Sequence, residues 1–303
     1  MKSLQSLLSE KSNRSIYLSI FRLYICFHLL KKLLFQWTSL QTLYGTDSFV
    51  VPLQNDYLSI VFLQDNYQLL IFFYMIMIVL FAFGIGKYFT AFILYILVII
   101  VQELNEYVLD GGDNLLKFLI LYLAFANCYE YFSLSKLKLR KGYTIKLSNL
   151  CTNLAVYSIL IHLCLVYFVS GISKAYSDVW YSGAALYYIL SIERFNSGTS
   201  LIQPFVHNGY LVTFFSYFTI LVELYFPVLV WVKRLRPFVL TCMAFLHLGI
   251  YFLMMIHDFS ILYITVYGFF FTNSELLRFK RRLAVGAAKF MEFIKERIPA
   301  KLS

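Results

Sequence analysis

Apolar stretches close to twenty residues long, separated by short clusters of charge, recur from residue 16 to residue 272. Helices of roughly 20 residues cross the ~30 Å hydrocarbon core of a bilayer, so each stretch reads as a candidate span. Eight are predicted, over residues 16–35, 68–86, 88–104, 115–132, 150–175, 209–232, 237–256 and 259–272. The first carries Arg22, His28, Lys31 and Lys32 and is weak as a membrane segment on its own. Residues 36–67 read as a loop. Residues 176–208, with Asp178, Trp180, Glu193, Arg194 and Pro204, predict a short re-entrant or surface-lying helix after the fifth span. Alternating ten-residue strands, the pattern of an outer-membrane barrel, are absent. Past residue 275, Leu276, Leu277, Phe279, Leu283, Phe290, Phe293 and Ile294 alternate with basic residues at helical spacing. That pattern predicts an amphipathic helix lying on an anionic leaflet. The fold class expected is all-α: a polytopic membrane domain over 1–275 and a basic amphipathic tail over 276–303.

Composition agrees with that reading. Hydrophobic residues make up 60% of the chain and charged ones 14%, against roughly 45–50% and about 25% in soluble domains. So few charges could not cover the apolar surface of a water-soluble globule. The net charge of +10 would suggest an anionic partner, but position explains most of it. Basic residues near span ends resist translocation. They gather before the first span, at Lys87, at 136–146, at 233–236 and in the tail. The alternate connections carry Asp47, Asp56, Asp65, Glu103, Glu106, Asp110, Asp113, Asp178, Glu193 and Asp258 instead. The prediction is a multi-pass protein of the cell membrane, in a bacterium its inner membrane, with both termini cytoplasmic. Its partner is the lipid bilayer and no nucleic acid is expected. The basic N-terminus has no small-residue cleavage site after its apolar run, so it reads as an uncleaved span. The five cysteines fall in or at the ends of spans and read as buried and inert.

Candidate chemistry concentrates at the span ends predicted to face outward: Lys31, Lys32, Asp110, Asp113, Lys117, Lys174, His257 and Asp258. A lysine at mid-bilayer costs ~3 kcal/mol on insertion scales, whereas one near an end can snorkel to water. Taken together, these groups suggest an outward-facing polar cavity. Lys174 and Tyr167, seven residues apart, share a face of the fifth span, under an aromatic cluster of Tyr176, Trp180 and Tyr181. Desolvation there would favour the neutral amine, which can act as general base or nucleophile. Asp113 or Asn114 reads as a helix cap, with Asp113 and Lys117 as an i,i+4 pair; substrate or ion binding is the other reading of these residues. Glu223 lies mid-span beside Pro227, where it must be neutral or paired, His247 and His162 being the partners considered. Those two histidines could also ligate a haem, although internal hydrogen bonding is the commoner role. No Walker loop, dinucleotide fingerprint, HExxH or GxSxG occurs, and no metal site is expected.

Four motifs occur in an order that resembles one family: Asp110-Gly-Gly-Asp113, the helix end from Tyr167 through Gly171 to Lys174, Trp180-Tyr-Ser-Gly183, and Glu223-Leu-Tyr-Phe-Pro227 before His247. The chain resembles the HTTM family, the transmembrane domain shared with vitamin K-dependent gamma-carboxylase. It is similar also to bacterial sporulation-delaying toxin maturation proteins of the B type. The likeness covers about residues 12–275. It implies a membrane enzyme with an outward-facing site acting on a lipophilic quinol or peptide, a quinone as cofactor, and Lys174 as the catalytic base. Asp110, Asp113, Tyr167, Trp180, Glu223 and His247 are the substrate-binding residues expected with it. The carboxylase binds its protein substrate with a long lumenal region after its spans. This sequence runs about thirty residues past the eighth span, so the implication rests on the membrane core. The alternative it implies is a non-enzymatic factor for maturation or export of a small secreted peptide; a small-molecule transporter is the third reading.

Overall fold

The computed structural model describes residues 8–46, 48, 60–134, 142–193 and 202–297. Among these it is all-helical, with no strand. In chain order the helices are α1 Ser15–Phe35, α2 Leu40–Tyr44, α3 Ile60–Asp65, α4 Tyr67–Phe83, α5 Tyr88–Leu104, α6 Gly111–Phe125 and α7 Tyr143–Ala175. There follow α8 Asp178–Tyr181, α9 Ala185–Ser191, α10 Gln203–His207, α11 Gly209–Leu229, α12 Arg236–Leu253, α13 His257–Val266 and α14 Asn273–Arg297. A 3₁₀ turn, Tyr267–Phe270, extends α13. Asp47, Asp56, Lys136, Lys138, Arg140, Lys141, Arg194 and Lys301 lie outside the described residues.

Among the described residues three helices, α7, α11 and α12, are long and apolar enough to cross a membrane; α4 and α5 are shorter apolar helices. Their outward faces expose Phe72, Phe89, Leu165, Phe214 and Phe238. Large apolar side chains exposed on five helices are consistent with a hydrocarbon surround. Inside, Leu18, Phe21, Ile25, Leu29 and Leu33 of α1 are buried in one core shared with α4, α5, α6, α7 and α13.

Local chemistry sets the helix ends. Gly84 closes α4 in the left-handed region at φ 70°, its N–H and that of Ile85 returning to the carbonyls of Phe81 and Leu80. Asn208 caps α11 by accepting from the N–H groups of Tyr210 and Leu211. Thr272 and Glu275 form a reciprocal capping box at the head of α14. The backbone N–H of Thr272 above all holds the Glu275 carboxyl below its ordinary range.

Four expectations change. The fourth span was expected to run to residue 132, but α6 stops at Phe125. The apolar residues after it are non-helical because other helices satisfy their backbone. The hydroxyls of Thr152 and Ser19 accept from the N–H groups of Asn127 and Tyr131, and Arg22 donates to the carbonyls of Tyr131 and Phe132. The next helix, α7, begins at Tyr143, inside the stretch read as a basic loop. Residues 36–67, read as loop, contain α2 and α3. After α7, three short helices stand where one was expected.

Candidate functional site

Lys174 lies in the last turn of α7, one turn beyond Ser170 and on the same face. Its Nζ donates to Glu223 Oε2 at 2.7 Å and to Ser170 Oγ at 2.5 Å, and lies 5.2 Å from the centre of the Trp180 ring. Only 19% of the lysine side chain and 7% of the glutamate side chain are exposed, so the pair is largely removed from solvent. Glu223 is thus paired with Lys174, not with His247 or His162. Two features of backbone make room for this contact. Pro227 sits inside α11 and cannot donate to the carbonyl of Glu223 four residues earlier. On α7, a Cβ at Gly171 would stand 2.9 Å from the amide nitrogen of Leu224 and 3.1 Å from its Cα. Glycine lets the two helices close where the charges meet.

Beside the pair, His247 of α12 is 1% exposed. Its Nε2 is 2.9 Å from the hydroxyl of Tyr167, which is 2.6 Å from the hydroxyl of Tyr267. The imidazole stacks on Tyr263, with ring centres 4.9 Å apart and planes 16° from parallel. Nδ1 has no hydrogen-bond partner. A buried polar atom left unpaired costs about 1–3 kcal/mol, and this one belongs to a residue on the wall of a cavity. The cavity holds about 400 Å³ and is lined by Tyr167, Ser170, Lys174, Trp180, Glu223 and His247, with Phe205, Phe215, Phe218, Phe245, Phe259 and Tyr263 giving ring faces. Its polar atoms are few and clustered, as in sites that take a largely apolar ligand and fix its orientation.

The other charged residues form a different cluster. Lys32 donates to both carboxylate oxygens of Asp113 at 2.6 Å, and Lys31 pairs with Asp258. Asp110, not Asp113 or Asn114, is the N-cap of α6; Asp113 is the N3 partner in its capping box. Burial, then the neighbouring Asp113, raises the Asp110 carboxyl above its usual range. The expected Asp113–Lys117 pair is replaced by Asp113–Lys32, while the Lys117 ammonium lies 6.0 Å from the centre of the Phe118 ring. These groups tie α1 to α6 and α13 and line hollows separate from the one at Lys174.

Of the residues singled out in the sequence, Lys174, Tyr167, Trp180, Glu223 and His247 therefore share one cavity, whereas Asp110 and Asp113 do not reach it. Ser170, Phe259, Tyr263 and Tyr267 were missed. Ser170 was within reach of sequence reasoning, being one turn from Lys174; the three aromatics were anonymous among many. His162 is bonded through Nδ1 to the Tyr122 hydroxyl and lines another hollow, apart from His247. No family model, curated protein or solved structure matches the chain.

Proposed function

We propose that this chain is an HTTM-like membrane protein of eight helical spans with both termini in the cytoplasm. In this reading its cavity takes a lipophilic, ring-bearing hydroxyl compound of the quinol class, and Lys174 is the base that deprotonates it. The topology is supported by the alternation of basic and acidic connections. It is supported too by Asn273, at the head of α14, which bonds to Asn13, Ser15 and Ile16 at the head of α1. Ends held together at one level require an even number of crossings between them.

The observation that carries the chemistry is the Lys174–Glu223 pair in the wall of an otherwise apolar, ring-lined cavity. In this reading one proton moves across their 2.7 Å contact. When it rests on Glu223, Lys174 is a neutral amine facing a ligand hydroxyl. The O–H bond breaks, an N–H bond forms, and the new ammonium lies against the new oxyanion, with Trp180 on its other side. When Tyr167 donates to Nε2 of His247, Nδ1 carries the ring proton and can donate to a second ligand oxygen. The apolar walls exclude water that would otherwise compete for the proton.

Mass spectrometry of lipids released from the purified protein tests the reading. A quinone- or phenol-headed lipid is expected from the wild type and at least tenfold less from Lys174→Ala at unchanged helical content. Its absence from the wild type, or equal recovery from both proteins, overturns it.

A further inference from the structure

A second hollow begins where the cavity ends. It is a groove of about 680 Å³ on the outer face of the α6–α7 seam, lined by Tyr122, Ser158, Ile161, His162, Leu165, Val166, Val169 and Ser170. Ile161, Leu165 and Val169 face out of the bundle. Two of its residues, Val166 and Ser170, also line the Lys174 cavity, and Ser170 accepts a hydrogen bond from the lysine itself. The groove thus starts beside the ammonium and runs back along α7 toward the middle of the membrane. Ser158 to Ser170 is twelve residues, about 18 Å of helix.

The two polar rings of the groove satisfy one another. Tyr122 and His162 are joined at 3.0 Å, and Phe118 meets the imidazole edge-on at 4.8 Å. What is left for an occupant is an apolar channel, open to the side and closed at one end by a charge pair. A ligand delivered from water would have no use for it. A molecule dissolved in the bilayer, with a hydroxyl-bearing head and a hydrocarbon tail, would fill both hollows at once.

We infer that the α6–α7 groove is a tail-binding site, and that the ligand reaches Lys174 sideways from the bilayer past Val166 and Ser170. This rests on the quinol-type reading of the cavity and adds to it the amphiphilic class of the substrate, its route and the length of its tail. Residues along the groove then act as a ruler. Bulk at Val169, next to the cavity, obstructs any tail; bulk at Ser158, about 18 Å away, obstructs only a long one.

The test uses the full chain with Trp37→Phe and Trp231→Phe, which leaves Trp180 as the sole tryptophan to report by quenching on methyl-, hexyl- and hexadecyl-hydroquinone. In that background Val169→Phe is expected to weaken the hexyl and hexadecyl probes at least tenfold and the methyl probe not at all. Ser158→Phe is expected to weaken the hexadecyl probe alone. If methylhydroquinone quenches but neither groove variant distinguishes the tails, or if Val169→Phe weakens all three probes alike, the tail site is wrong and the cavity reading survives. If no probe quenches Trp180 in the background protein, the cavity reading fails and the tail site fails with it.

Discussion

Among the described residues Arg22 is the largest side chain wholly buried, and none of them gives it a carboxylate partner. Its guanidinium spans two backbone segments, donating to the carbonyls of Phe81 (2.7 Å) and Ala82 (2.9 Å) at the end of α4 and of Phe132 (2.5 Å) after α6. Each of those acceptors left dry costs about 1–3 kcal/mol. Arg22→Met, which fits the space and donates nothing, is expected to destabilise the protein by ~3 kcal/mol or more, read as thermal unfolding in detergent; an unchanged midpoint would refute the assignment. Individual residues were legible in the sequence only as anomalies. A lysine after an apolar helix read as a snorkelling end or a base, an arginine in a span as weakening it, and only the glutamate near a proline as needing neutrality or a partner. None announced which partner, since Lys174 and Glu223 are 49 positions apart and meet only through the packing of α7 on α11.

Between elements, the decisive contact is the close approach of α7 and α11 at Gly171. The atoms that a Cβ there would strike belong to the α11 backbone, which cannot swing aside as a side chain could. Gly171→Ala should force the helices apart and lengthen the Lys174–Glu223 contact. The expected cost is about 1–3 kcal/mol, typical of overpacking, together with loss of hydroquinone quenching at Trp180. A variant with normal stability and normal quenching would show that the approach is not tight. Element boundaries followed hydropathy where a helix ends in a glycine or a cap, as α4 and α11 do. They departed from it after Phe125, because hydropathy reports burial and not hydrogen bonding. An apolar stretch whose backbone is satisfied by Thr152, Ser19 and Arg22 looks the same as the end of a span.

Over the whole molecule, the charges at the ends predicted to face outward form two systems with different work. Lys31–Asp258 and Lys32–Asp113 fasten α1 to α13 and α6, while Lys174–Glu223 faces a cavity. Sequence position grouped them, since all lie at ends of the same predicted polarity, and only tertiary packing separates them. The charge pattern nevertheless predicts an orientation that can be tested. A fluorescent reporter that matures only in the cytoplasm, fused after the tail, is expected to fluoresce, and a phosphatase active only outside is expected to be silent there. The opposite pair of signals would invert the topology and turn the Lys174 cavity toward the cytoplasm.

The position of Arg22 also has a bearing on how such a chain is made. Its acceptors lie 59 to 110 positions later in the sequence. At roughly 5–20 residues per second of synthesis, α1 exists for several seconds before the carbonyls that receive its arginine have emerged. During that interval the first helix is better housed in the insertion machinery, or at its watery edge, than in free lipid. If α1 is one of the proposed spans, its settling in the bilayer is expected to wait until α4 and the segment after α6 arrive to receive it.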